Sequence, residues 1–382
     1  MKIKFTIPKP RFFLFGAYGR RNTGDDAMLY ALLRELSVAN SDASFAVLAQ
    51  NPIIVPNEVE SDIHFVKPII PIVLKEILNS SVFMIGGGTH FHDYGSNKLR
   101  WNKVIFKILT LILLSKIFRK YVFLVAIGVG PITNFLGKIQ VKLICVLSDF
   151  ISVRDKASYK VIRSLGVKKD VLLTFDPAVL LEPMFNTNPT KKTKDRKILG
   201  VSILPVFKLF FETEEMDLLL IKEIAVGLND WLKEDLQNVI HIFVFNDEPK
   251  GGDLAISKLL YERLQPSRRV KLIPYDTSPI MVLSRIAKCY AFVGMRFHSC
   301  IFAYQNNIPL LMIEYHPKCS AVAETIGLPN HAVISLNEII SGKFKEYIKN
   351  LQRRPDSFVA SIPVEITRQM SKLNLPQNKT CV

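Results

Sequence analysis

The chain is expected to fold as two doubly wound α/β domains facing a cleft. Three observations predict this. Short runs that are apolar throughout alternate with stretches of helical periodicity, the pattern of a parallel sheet covered on both faces. The alternation breaks at a polar, basic stretch, PMFNTNPTKKTKDRK, and then restarts. Glycines and polar residues gather just after the apolar runs, at the sheet edge where open α/β folds bind ligands.

Taken in order, strands are expected at 12–18, 44–49, 64–69, 81–85, 121–127, 150–153 and 171–174. A helix at 26–38 carries Met28, Leu29, Leu32, Leu33 and Leu36 on one face. After the break, strands are expected at 198–203, 239–245, 270–273, 291–293 and 309–313, then a short strand after Pro329, a helix at 337–351 and a polar tail. With 382 residues, 49% of them hydrophobic, each half can bury a core of its own. The expected organisation is a Rossmann-like N-terminal domain at 1–185, a linker at 186–197, a second Rossmann-like domain at 198–335, and a helical segment with a tail at 336–382.

The most apolar region, 104–130, is interrupted by Lys107, Lys116, Arg119 and Lys120. No clean span of about 20 apolar residues results, so it reads as a core helix followed by a buried strand. A basic helix face resting on a membrane is the lesser alternative. The start of the chain has too short an apolar run for a secretory signal. The five cysteines, Cys145, Cys289, Cys300, Cys319 and Cys381, form no C-x-x-C pair. Neither a disulfide framework nor a zinc site is expected, and a reducing, cytoplasmic setting fits, with peripheral contact at the inner membrane face as a variant.

Fifty Lys and Arg against 34 Asp and Glu leave a net charge of +16. Such a surplus favours phosphorylated substrates, acidic polymers or an anionic membrane. Without zinc-finger spacing, an RNA-binding aromatic motif or a dense basic arm, nucleic acid ranks low. A phosphate-bearing substrate or a lipid-linked glycan ranks higher.

Five segments carry candidate chemistry. The first, GAYGRRNTGDD, joins the first strand to the first helix. Its glycines and the helix start suit an anion; equally, Asn22 and Asp25 can simply shape and cap the turn. The second, GGGTHFHD, lets backbone approach a ligand at Gly87 and Gly88; His90 and His92 alternate, which argues against a metal pair. The third, SVRD, places Arg154 at a strand end, where it either grips an anion or forms a surface turn with Asp155. The fourth and strongest is VGMRFH. A buried strand ends at Gly294 and a helix begins near His298, so the guanidinium of Arg296, an imidazole and free helix N–H groups meet at one point. The fifth, EYHPK, follows the next strand and offers Glu314 as a base or hydroxyl binder and Lys318 as another anion partner.

In their joint order these segments resemble the polysaccharide pyruvyl transferase family. The matching stretches are GAYGRRNTGDDAM, IGGGTHFHD, AIGVGP, ISVRDKASYKVIRSLGV, FDPAVLL, GVSILP and VGMRFHSCIFAYQNNIPLLMIEYHPKCSAVAETIGLP, from Gly16 to Pro329. The resemblance implies a GT-B-like fold and transfer of a pyruvate ketal group from phosphoenolpyruvate to a sugar of an exopolysaccharide or cell-surface glycan. It implies no metal and no organic cofactor, with phosphoenolpyruvate as co-substrate. Arg296 and His298 are then the catalytic pair. Arg296, Lys318, Arg154, Glu314 and Gly294 line the donor, and Asn22, Gly24, Asp25, Gly87 and Gly88 the acceptor. Relatives often carry an arginine where this chain has Leu204; Lys208 or Arg285 would have to replace it. Two other functions compete: a GT-B glycosyltransferase using a nucleotide sugar, and a non-catalytic glycan- or anion-binding relative.

Overall fold

A computed structural model describes residues 9–55, 59, 61–93, 102–184, 196–211, 213–249 and 251–375. The linker expected at 186–197 lies, but for its last two residues, outside the described residues, as do Cys381 and the end of the tail. The chain divides into two compact units. One comprises residues 1–20, 25–181 and 365–382; the other comprises 21–24 and 182–364.

The first unit holds seven strands: β1 (Arg11–Tyr18), β2 (Ser44–Ala49), β3 (Asp62–Val66), β4 (Val82–Gly86), β5 (Tyr121–Ile127), β6 (Phe150–Val153) and β7 (Leu172–Leu173). All pair in parallel, in the order β3-β2-β1-β4-β5-β6-β7. The central strands are buried on both faces, which is why VFMIG and YVFLVAI show no polar alternation. Helix α1 (Thr23–Ala39) covers one face through Leu29, Leu32, Leu33 and Leu36. The other face is covered by α2 (Ile70–Asn79), α3 (Lys103–Ile117), α4 (Phe135–Leu147) and α5 (Lys156–Ser164). Asn102, Asn134 and Asp155 cap the last three with side-chain oxygens. Strand β3 stops before Pro68 and Ile69 already caps α2, so the strand expected at 64–69 is displaced. Among the described residues, no helix is long and apolar enough to cross a membrane.

The second unit repeats the plan with six strands: β8 (Lys197–Ser202), β9 (Asn238–Phe243), β10 (Val270–Ile273), β11 (Ala291–Gly294), β12 (Leu310–Glu314) and β13 (Val333–Ser335). They are parallel, in the order β10-β9-β8-β11-β12-β13. Its helices are α6 (Val206–Phe211), α7 (Glu214–Glu234), α8 (Leu254–Glu262), α9 (Pro279–Ile286), α10 (Phe297–Gln305), α11 (Pro317–Ile326), α12 (Leu336–Ile340) and α13 (Phe344–Arg353). The single helix expected at 337–351 is two, broken at Gly342, whose φ of 85° ends α12.

The tail is not a loose end. Helix α14 (Val364–Lys372) leads into Asn374, which belongs to the first unit. There the buried Asn374 amide donates to the Phe175 carbonyl (2.8 Å) and accepts from the hydroxyls of Ser152 and Thr174. The segment 21–24 crosses the other way. Thr23 N donates to the Phe245 carbonyl (2.9 Å), and Asn22 bridges Asn246, within the second unit.

Candidate functional site

In a doubly wound sheet the ligand crevice opens where the strand order reverses. That point lies between β8 and β11 in the second unit. Ser202, ending β8, accepts from Met295 N on its carbonyl at 3.0 Å, and its hydroxyl meets that of Ser299 at 2.5 Å. These bonds tie the end of β8 to the turn after β11. Arg296 is the N-cap of α10 in extended conformation, and its carbonyl accepts from Ser299 N at 3.0 Å to open the helix.

The Arg296 guanidinium is held rather than loose. Its Nε donates to both oxygens of Asp253, at 2.8 and 3.0 Å, and a terminal nitrogen closes the pair. Asp253 is fully buried and also accepts from Phe245 N and Asn246 N. Burial pushes its carboxyl pKa up, while Arg296 and those N–H groups pull it back. The Arg296 side chain keeps 17% of its surface exposed, so the pair fixes its direction without sealing it.

His298 lies half-buried as the second residue of α10. A Cβ on Gly24 would fall 1.9 Å from His298 Nδ1, so only glycine lets this backbone lie against the imidazole. Asn22 turns the chain there by accepting from Gly24 N at 3.1 Å. Asn22 and Gly24 were expected on the first domain; they group with the second unit, beside His298.

At the next strand end, the Lys318 ammonium stands 5.7 Å from the Phe297 ring centre and 5.2 Å from that of Tyr315. Glu314 accepts from the Ser320 hydroxyl, and His316 Nδ1 caps α11 through Lys318 N at 3.1 Å. Gly294 has a packing reason: a Cβ there would meet Cys300 Sγ at 2.5 Å. A cavity of about 570 Å³ opens beyond the Asp253 loop, walled by Arg21, Lys208, Asp247, Gly251, Leu254 and Leu259. Leu204 is buried, Lys208 pairs with Glu214 at 2.5 Å, and Arg285 pairs with Asp276 at 3.0 Å.

The matching reversal in the first unit lies between β1 and β4. Gly87 and Gly88 turn there with φ of 56° and 86°, conformations that suit glycine. A Cβ on Gly88 would approach His90 Nε2 to 3.1 Å and Asp25 Oδ1 to 3.7 Å, so these three residues converge. Burial lowers the His90 pKa to about 4, with Arg154 and Arg20 adding to the effect. Tyr18 donates to the Gly86 carbonyl at 2.7 Å and its pKa is pushed far up by burial.

Arg154 was expected to hold a donor anion. Its side chain is 4% exposed, bonds Asp176 at 2.6 Å and Thr89 Oγ1 at 3.0 Å, and lies in the first unit. A guanidinium so enclosed holds three strand ends together. It has no open face for a ligand.

The residues missed by sequence reasoning are Asp253, Asn246, Ser202 and Asp176. Asp253 carried a signal: an aspartate immediately before the apolar, helical 254–262 is a helix-start pattern. Its pairing with Arg296, 43 residues on, left none. Among the described residues, no group of three His, Cys, Asp or Glu side chains is arranged to hold a metal ion.

Residues 22–317 match the family described as polysaccharide pyruvyl transferase. No curated protein matches the chain. Among solved structures, a putative UDP-N-acetylglucosamine 2-epimerase from Listeria monocytogenes is similar at a TM-score of 0.58 and 12% identity, over 96% of this chain and 94% of that one. The S. aureus MnaA–UDP co-structure is similar at 0.54 and 13%, over 97% and 92%. Anabaena HepE in complex with UDP-glucose is similar at 0.58 and 11%, over 94% and 95%. At such identities the likeness concerns the fold alone, which is GT-B-like.

Proposed function

Because the chain belongs to the polysaccharide pyruvyl transferase family, and so is a transferase, we propose that it moves a pyruvate ketal group from phosphoenolpyruvate to a sugar of an exopolysaccharide or cell-surface glycan. The observation that supports this most is the placement of Arg296 and His298 together at the α10 start, on the reversal point of the second sheet.

The chemistry asks for little else. A proton adds to the methylene carbon of phosphoenolpyruvate, and a sugar hydroxyl oxygen bonds to the second carbon while its own proton passes back to the group that gave the first. A second hydroxyl then displaces phosphate, which carries away that hydroxyl's proton, and the ketal closes. The donor brings a carboxylate and a phosphate. Arg296, aimed by Asp253, and Lys318 supply cationic charge. His298 delivers the proton to the methylene carbon. Gly24 and Asn22 act by setting the position of the imidazole. Asp25, Gly87 and Gly88 on the first unit hold the acceptor sugar. The reaction so written needs no metal and no organic cofactor.

The test is mass spectrometry of a candidate glycan after incubation with phosphoenolpyruvate. The ketal product should form, with inorganic phosphate, and be lost in His298→Ala at unchanged melting temperature. Full activity in that variant would remove His298 from its role. A nucleotide-sugar donor is the second reading, prompted by the buried Leu204 and by the UDP and UDP-glucose complexes of similar structures. Thermal stabilisation by a nucleoside diphosphate, and none by phosphoenolpyruvate, would favour it.

A further inference from the structure

We propose that the outer faces of α3 and α4 rest the protein on an anionic lipid surface. The two helices cross back between consecutive parallel strands over the same face of the first sheet, so they lie side by side and point the same way. Each is apolar on both sides. Ile105, Ile108 and Ile112 of α3 and Val141 and Ile144 of α4 enter the core. Away from it, Ile117 is 70% exposed, Phe135 67% and Leu113 44%, with Val146 also in solvent. Ile70 of α2 and its neighbour Ile69 are exposed as well. An apolar face of this extent marks an interaction surface rather than scattered surface residues.

Charge selects the occupant. Neither α3, KVIFKILTLILLSKI, nor α4, FLGKIQVKLICVL, contains an acidic residue. Lys103, Lys107, Lys138 and Lys142 are interspersed with the exposed apolar groups, and none pairs with a carboxylate among the described residues. The acids nearby are already neutralised: Asp149 by Lys116 at 2.8 Å and Glu76 by Arg11 at 2.9 Å. A second copy brought face to face would set lysines against lysines. A surface of anionic headgroups over acyl chains takes both features, since lysines reach outward along apolar stems while Leu113, Ile117 and Phe135 enter the boundary. The 15-residue α3 gives a contact roughly 20 Å long. The protein would lie on the membrane, since no described helix crosses one. This surface is independent of the donor chemistry proposed above.

The experiment is flotation of the full chain with phosphatidylcholine vesicles and with vesicles that also contain phosphatidylglycerol. The wild type should partition onto the anionic vesicles roughly tenfold better than onto neutral ones. It should be released at roughly 0.5 M salt, where charge is screened within a few ångströms. Leu113→Glu with Phe135→Glu, and separately Lys107→Glu with Lys138→Glu, should each weaken partition by about tenfold or more at unchanged melting temperature. Both pairs are exposed, so folding is not at stake. No preference for anionic vesicles, or wild-type partition in both variants, overturns the proposal. A wild-type dimer that Phe135→Glu makes monomeric, without vesicle binding, overturns it in favour of a second copy.

Discussion

The two sheets carry an arginine at corresponding edges, and the two side chains have opposite fates. Arg154 follows β6 in the first unit and is sealed between Asp176 and Thr89. Arg296 follows β11 in the second unit and is braced by Asp253 with 17% of its side chain still exposed. Each pairs with one buried aspartate, so pairing does not separate them. Burial does. A sealed ion pair joins strand ends and offers a ligand nothing, whereas a braced, half-open one presents a charge whose direction is already set. Topology puts basic side chains at both edges; the packing above them decides which one stays accessible to a ligand.

The contrast can be broken most directly by activity. His298→Ala should lower pyruvyl transfer by about 10²- to 10⁴-fold, the usual worth of a positioned proton donor, with little change in melting temperature. Phosphate release from phosphoenolpyruvate reads the rate. His90→Gln, on the first unit, should leave the chemical step far less affected.

Stability separates the arginines next. Arg154→Ala strands a buried Asp176 carboxylate and should cost about 3–5 kcal/mol in urea unfolding. Arg296→Ala should cost less, since water reaches its side of the pair, yet remove activity. Equal stability losses at both positions would erase the distinction.

A third consequence concerns pH. The folded state holds the half-buried His90 near a pKa of about 4, below its ordinary 6.5, and so favours the neutral ring. Its contribution is present above pH 6.5 and is lost as pH falls from 6.5 toward 4. About 2 kcal/mol should disappear across that window, allowing for partial solvent access, and His90→Gln should flatten that part of the stability profile.

The smallest expected effects sharpen the second unit alone. Gly24→Ala should displace the His298 ring and cost about 1–3 kcal/mol of stability, with kcat falling more than KM rises. Lys318→Met should raise KM for phosphoenolpyruvate by roughly tenfold and lower stability by under about 1 kcal/mol, since its half-exposed cation stands more than 5 Å from both ring centres.

Much of this was legible in the residues. Periodicity located most strands of both sheets, because a strand buried on both faces must be apolar along its whole length. VGMRFH announced a strand-to-helix turn with a cation and an imidazole, since Gly294, Arg296 and His298 are local in sequence. The tail was not legible: Asn374 is one polar residue in a polar stretch, and its bonds to Ser152, Thr174 and Phe175 span about 200 positions. Nor was the displaced start of α2, where Pro68 and a hydrophobic run read equally well as strand.

The sequence by itself determined the doubly wound class, the glycine turns at the strand ends and the residues of the fourth segment, all set by local periodicity and backbone freedom. Only the tertiary structure decided which arginine stays open, that Asp253 aims Arg296, and that Gly24 lies against His298. Those outcomes depend on contacts between residues tens to hundreds of positions apart. They rest on burial, which belongs to the packed chain and not to any one stretch of it.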